Sequence, residues 1–172
     1  MIEPMIRKFI LRTAACVALA ILVFSGGSRT FAQTSTPVQW TLTASTRDRL
    51  PLHVGATAVA HLHGQIQHGW HVYALDQGLG GPVSMRILIP GHQPFAINGD
   101  ITASKPKRAF DPNLNIDTRF YQGEATFAIP IKATRPPADG SLNVSVDVLY
   151  QACNDRMCLP PRTAHLASAV SR

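Results

Sequence analysis

Charge is scarce in this 172-residue chain: Asp, Glu, Lys and Arg together make up 15% of it, against 45% for hydrophobic types. That balance excludes compositional disorder and predicts one compact domain with a buried core. Basic clustering is nearly absent. Lys105, Lys107 and Arg108, in SKPKR, form the sole such group and have no interleaved aromatics, which argues against nucleic-acid binding and for a solvated loop. No G-x-S-x-G and no recognisable carboxylate pair occurs, so nucleophilic hydrolysis has no candidate. There is no internal repeat, no low-complexity tract and no sign of a second domain. Beyond the N-terminal segment, no window of ten or more residues keeps apolar spacing at i, i+3 and i+4, so helices are not expected.

What is present begins with a leader. Arg7, Lys8 and Arg12 precede a twelve-residue apolar run, Thr13 to Phe24, and small residues follow up to Thr30-Phe31-Ala32. A basic start, a short apolar stretch and a small-x-small site describe a secretory signal peptide over 1–32, removed after Ala32. A spanning helix needs ~20 apolar residues, so no stable membrane span remains after cleavage. Cys16 lies inside the apolar run and leaves with it; Thr13 stands where a lipidation motif usually has Leu. Of sixteen bases and ten acids, four and one lie in the leader, leaving a mild +3 on the mature part. A polar arm, 33–37, should be a flexible lead-in to a single domain, 38–172.

Period-two alternation dominates that domain. Val38, Trp40 and Leu42 alternate with polar residues, and so do Val83, Met85, Ile87 and Ile89. The same holds for Ala125, Phe127, Ile129 and Ile131, and for Leu142, Val144, Val146, Val148 and Tyr150. Turn signals separate them, among them GLGGP (Gly78 to Pro82), Asn98-Gly99-Asp100 and PPADG (Pro136 to Gly140). The layer rules then favour an all-β fold of seven to eight strands, an immunoglobulin-like antiparallel β-sandwich. The Cys…Trp…Cys pattern of antibody domains is missing, so the expectation covers architecture alone.

Two cysteines remain in the mature part, Cys153 and Cys158, within YQACNDRMCLPP at 150–161. As a staple the pair has little leverage. A bridge closing six residues stabilises by only ~2 kcal/mol in the chain-entropy picture, against ~4.7 kcal/mol for a hundred-residue loop. As a redox pair it has the essentials: a short loop keeps a resolving thiol beside any sulfur engaged in a mixed disulfide. Arg156 favours a thiolate and Asp155 opposes one. Leu159-Pro160-Pro161 stiffens the exit and removes two backbone donors, which blocks longer strand pairing. C-x4-C is not the C-x-x-C of thioredoxin-fold enzymes, and spacing alone leaves staple and switch both open.

YQACNDRMCLPP, with GWHVYALDQG (Gly69 to Gly78), GPVSMRI (Gly81 to Ile87) and FYQGEATFAIPI (Phe120 to Ile131), resembles the periplasmic N-terminal domain of the thiol:disulfide interchange protein DsbD, also called the disulfide-bond corrector domain. The resemblance runs in order from about Val38 to about Ala169. It implies an immunoglobulin-like sandwich in the periplasm whose cysteine pair exchanges electrons with thioredoxin-fold proteins, a protein-disulfide reductase type of activity with links to cytochrome c biogenesis. No cofactor is implied. The second cysteine of the family's pair forms the mixed disulfide, which points here to Cys158, with Cys153 resolving. An aromatic cap shields the pair in the family, and Thr118-Arg119-Phe120-Tyr121 looks like that cap, with Phe120 foremost and Tyr121 beside it. Tyr73, Tyr150 and Arg156 are candidate lining residues. The cysteine loop is one residue shorter than in the best-known members. Those members also continue into membrane and thioredoxin-like domains, so a separate membrane electron donor is expected for this chain.

Two other readings stand beside it. One is a non-enzymatic interaction module with an inert disulfide. The other is copper or zinc binding by His61, His63, His68 and His71 in HLHGQIQHGWH, since His61 and His63 share a strand face. Against it, the same histidines read more readily as strand-surface and turn residues, with His71 part of the GWHVY stretch. Asp147 is expected on a solvent face.

Overall fold

The computed structural model describes residues 36–48, 52–78, 80–111, 115–136 and 142–172. The expected leader, 1–32, and the lead-in apart from Thr36 and Pro37 lie outside the described residues. Pro37 is already held by the domain, because its carbonyl accepts a hydrogen bond from the Gln67 N–H at 2.8 Å.

Among the described residues the chain forms twelve strands and no helix. In order these are β1 (Val38–Ser45), β2 (Thr57–Ile66), β3 (His71–Tyr73), β4 (Arg86–Leu88), β5 (Phe95–Ile97) and β6 (Thr102–Ala103). Then come β7 (Lys107–Asp111), β8 (Ile116–Tyr121), β9 (Glu124–Ala133), β10 (Asn143–Tyr150), β11 (Ala152–Cys153) and β12 (Arg162–Ser171). No helix of the described residues is long and apolar enough to cross a membrane.

The longest strands follow the alternation of their sequences. Along β9 and β10 every second residue is buried, and Ile129, Ile131, Val144, Val146 and Val148 are almost wholly inaccessible. Each such side chain contributes ~1.5–3 kcal/mol relative to exposure. Eight strands form one large sheet in the order β4-β10-β12-β1-β2-β9-β5, with β6 also on β9, and four form a smaller sheet, β11-β3-β8-β7. The inward faces share one core cluster, giving an all-β, immunoglobulin-like sandwich. Its pairing is antiparallel with one exception. β1 and β12 meet in parallel at Ala44↔Val170 and Ser45↔Ser171.

Several segments depart from expectation. More strands form than the seven to eight foreseen, because turns cut the domain into two- and three-residue pieces. The alternating run Val83 to Ile89 pairs only over Arg86–Leu88, and Val83 stays 40% exposed. Gly80-Gly81-Pro82 before it and Pro90-Gly91 after it leave little backbone to join a ladder. The basic SKPKR stretch is not a plain loop either: Lys107 and Arg108 open β7, an exposed edge strand. Charged side chains at such an edge protect it from pairing with other chains.

Trp40 and Gly64 face each other across β1 and β2, and the indole lies over the glycine. A Cβ at residue 64 would come within 2.5 Å of the Trp40 ring. The same indole meets Tyr150 edge-on, with ring centroids 5.5 Å apart.

Candidate active site

Cys153 and Cys158 are joined as a disulfide across a tight hairpin that leaves β11. The Asn154 N–H donates to the Met157 carbonyl and the Leu159 N–H to the Ala152 carbonyl, both at 2.9 Å. The Asn154 side chain closes the turn from within, its Oδ1 accepting from the backbone N–H groups of Arg156 and Met157 at 2.9 Å. An Asx turn of this kind shapes the loop alongside the disulfide. Beyond it the Gln151 amide donates to the Leu159 carbonyl at 3.1 Å, pinning the start of the Leu-Pro-Pro exit. The two sulfurs are thus presented by a preformed turn.

Their surroundings differ sharply. Cys153 is 1% exposed, because β11 lies against β3 with Cys153 opposite His71. Cys158, on the return limb, is exposed.

Register across the small sheet decides which side chains join them. Cys153 faces His71, Tyr73 faces Phe120, and Phe120 in turn faces Lys107. Since successive residues of a strand point to opposite faces, Cys153, His71, Tyr73, Thr118 and Phe120 share one face of this sheet. With the hairpin they line a cleft of about 470 Å³ that also takes in Ala109, Phe110 and Asp111 from β7. The His71 ring packs between Tyr73 and Phe120, with centroids 5.2 and 5.1 Å away.

Burial holds the His71 imidazole below its ordinary pKa, against the opposing pull of Asp155 and then Asp111. It also raises the Tyr73 phenol, to which Asp111 adds. Two of the large exposed apolar side chains stand at the cleft, Phe110 at 58% and Met157 at 54% exposure.

Behind the cleft, Gln77 sets the position of β8. Its side-chain amide donates to the Arg119 carbonyl while its Oε1 accepts from the Arg119 N–H, so one side chain serves as a strand partner. An ion pair between Arg119 and Asp76 at 2.7 Å reinforces the contact.

A family model for "Thiol:disulfide interchange protein DsbD, N-terminal" matches residues 42–169. The chain belongs to the DsbD N-terminal family. Among solved structures it is similar to the N-terminal periplasmic domain of ScsB from Proteus mirabilis, at 20% identity and a TM-score of 0.51. That match covers 76% of this chain and 45% of the ScsB chain, so this chain spans less than half the length of the protein it resembles. A collagen-binding subdomain of the Enterococcus faecalis surface protein ACE also aligns, over 77% of this chain and 96% of that one, at 9% identity and a TM-score of 0.30. No curated protein matches the chain.

Within this DsbD-type domain the cleft gathers Cys153, Cys158, Phe120, Tyr73 and Arg156. Two expected site residues are elsewhere. Tyr121 and Tyr150 are both buried in the core, at 4% and 6% exposure. Tyr121 alternates with Phe120 along β8 and points to the opposite face, where it meets Phe127 edge-on at 5.5 Å. Tyr150 ends β10 on its inward face beside Trp40. Burial raises the pKa of both phenols. The stretch 118–121, expected as a cap, is part of strand β8, and the Thr118 hydroxyl donates to the Ala109 carbonyl of β7 at 3.1 Å.

The histidines of HLHGQIQHGWH do not converge. His61 and His63 sit on β2 in the large sheet, His68 is in the turn that follows, and His71 is in the small sheet. His63 approaches Glu124 at 3.5 Å instead. Among the described residues no group of three or more His, Cys, Asp or Glu side chains is placed to hold a metal ion. Asp147 is half-buried and pairs with His165 on β12 at 2.7 Å.

Sequence reasoning missed Phe110 and Asp111 as neighbours of the cysteines, Met157 although it stands within the cysteine block, and Gln77 as the side chain that ties β8 from behind the cleft. His71 it weighed as a metal ligand or as part of the GWHVY stretch. Strand register brings His71, Phe110 and Asp111 to the cysteines, and no local pattern shows it.

Proposed function

We propose that this domain carries out thiol:disulfide exchange through Cys158 as the outer sulfur and Cys153 as the inner, resolving one. The difference in exposure between the two carries the reading. A thiolate must approach a disulfide along the S–S axis, and Cys158 is open to a protein partner whereas Cys153 is 1% exposed. A partner thiolate attacks the Cys158 sulfur, the S–S bond breaks, and Cys153 leaves as a thiolate. The partner's second thiol then attacks its own bonded sulfur and releases Cys158. Two electrons have passed to this domain, and the partner carries the new disulfide. In the opposite direction, reduced Cys158 attacks a partner disulfide and Cys153 closes the bond.

Suitable partners are thioredoxin-fold proteins of the periplasm on one side and a membrane protein with a reactive dithiol on the other. Export through the leader fits that compartment. Arg156 supports the Cys158 thiolate, and Phe120, packed on His71, shields the pair from small oxidants.

Trapping tests the assignment of the sulfurs. With a reduced thioredoxin-fold protein whose resolving cysteine is replaced by serine as partner, and each single mutant activated as a mixed disulfide with glutathione, Cys153→Ser is expected to give a lasting protein–protein adduct by mass. Cys158→Ser should give none while remaining folded. The reverse pattern, or equal adducts from both, would overturn the reading.

A further inference from the structure

His71 is the neighbour that the exchange step needs and that no role above uses. It stands directly across the β3–β11 pair from Cys153, and cross-strand neighbours hold their Cβ atoms ~4.5–5.5 Å apart. Both residues line the same cleft. The imidazole is held in place from two sides by the rings of Tyr73 and Phe120.

Cys153 presents the chemical difficulty. When the reduced domain has formed a mixed disulfide through Cys158, the Cys153 thiol must lose its proton to attack. A sulfur at 1% exposure gains little solvation as a thiolate, so desolvation opposes that loss. A base beside it removes the obstacle.

The groups facing His71 are Tyr73 on its own strand, Asp111 from β7, and Asp155 and Arg156 from the hairpin. Arg156 accepts no proton, and a phenol that stays protonated at neutral pH is no base. Carboxylates as a class have reference pKa values ~4 units or more below a thiol, so they make poor acceptors for it; imidazole lies only ~2 units below. Its lowered pKa also leaves the His71 ring neutral, hence basic, at neutral pH.

We infer that His71 accepts the Cys153 proton as the Cys153 sulfur attacks Cys158 and expels the partner thiolate, and that it returns a proton to Cys153 when the disulfide is opened. Each closure forms the Cys153–Cys158 bond and breaks the bond between Cys158 and the partner, oxidises Cys153, releases the partner's bonded sulfur as a thiolate, and passes the proton from Cys153 through the ring to solvent. Burial, which keeps the ring neutral, and the two aspartates, which favour its protonated form, together suit a group that must take a proton and give it up.

The inference rests on the proposed roles of the two sulfurs. Both are tested by mixing the reduced domain with dithiobis(nitrobenzoate), which releases one coloured thiolate when Cys158 attacks and a second when Cys153 closes the bond. In His71→Phe, which keeps a ring between Tyr73 and Phe120, and in His71→Gln, the ratio of second to first release rate should fall at least ~10-fold at neutral pH. The wild-type second release should hold a plateau from alkaline pH down to the imidazole range. In the variants it should instead climb with pH throughout, as hydroxide alone removes the proton. An unchanged ratio in either folded variant, or a wild-type second phase with no imidazole limb, overturns the inference while the sulfur roles stand. A first release that persists in Cys158→Ser reverses the sulfur roles, and the inference falls with them.

Discussion

Phe120 and Tyr121 are adjacent in sequence and have opposite fates. One ring lies in the cleft beside His71; the other fills the core against Phe127. If the Phe120 ring guards the sulfurs, Phe120→Ala should speed alkylation of reduced Cys158 by iodoacetamide. Losing a steric barrier of ~1 kcal/mol corresponds to a rate increase of ~5-fold. Rates within error of wild type would remove the shielding role.

Residue identity made the cysteines legible as candidates, because the domain's two cysteines stand only five positions apart in one short loop. It could not separate the two tyrosines of FYQG and YQAC from the residues that do reach the cleft. That distinction depends on strand phase, and a one-residue slip exchanges the two faces.

At the scale of elements, the site is built from short pieces that hold each other in register. β11 has two residues and β3 three, far too few to be stable alone. They persist because Val72 and Ala152, on the reverse face, are buried in the core cluster, and because Gln77 ties the chain after β3 to β8. The long alternating strands β1, β9 and β10 were readable from periodicity. The short ones, apart from β4 inside the run Val83 to Ile89, were not, since two or three residues carry no period and their pairing depends on partners far away in sequence.

The contact between Trp40 and Gly64 gives an element-scale test. Gly64→Ala drives a methyl into the indole, an overpacking that should cost about 1–3 kcal/mol. Urea denaturation should show a lower midpoint with an unchanged slope. Stability equal to wild type would mean that the indole does not rest on this glycine.

For the whole molecule, one core serves both sheets, and the disulfide lies on the edge strand of the smaller one, with Cys153 buried and Cys158 exposed. The architecture is therefore expected to hold without the bond. Asx closure and strand pairing already shape the hairpin, and a six-residue ring stabilises only weakly. The sandwich was legible from composition, alternation and turn spacing, whereas the parallel β1–β12 seam was not, because a two-residue pairing between the first and last strands leaves no local trace.

A bond that the fold does not require, with one sulfur open and one enclosed, should open and close while the protein stays folded. Equilibrating the purified domain with graded ratios of reduced and oxidised glutathione, then alkylating and weighing it, measures this directly. The account predicts full interconversion of disulfide and dithiol with a midpoint above about −300 mV and circular dichroism unchanged throughout. A disulfide that survives every ratio, or reduction that unfolds the domain, would contradict it.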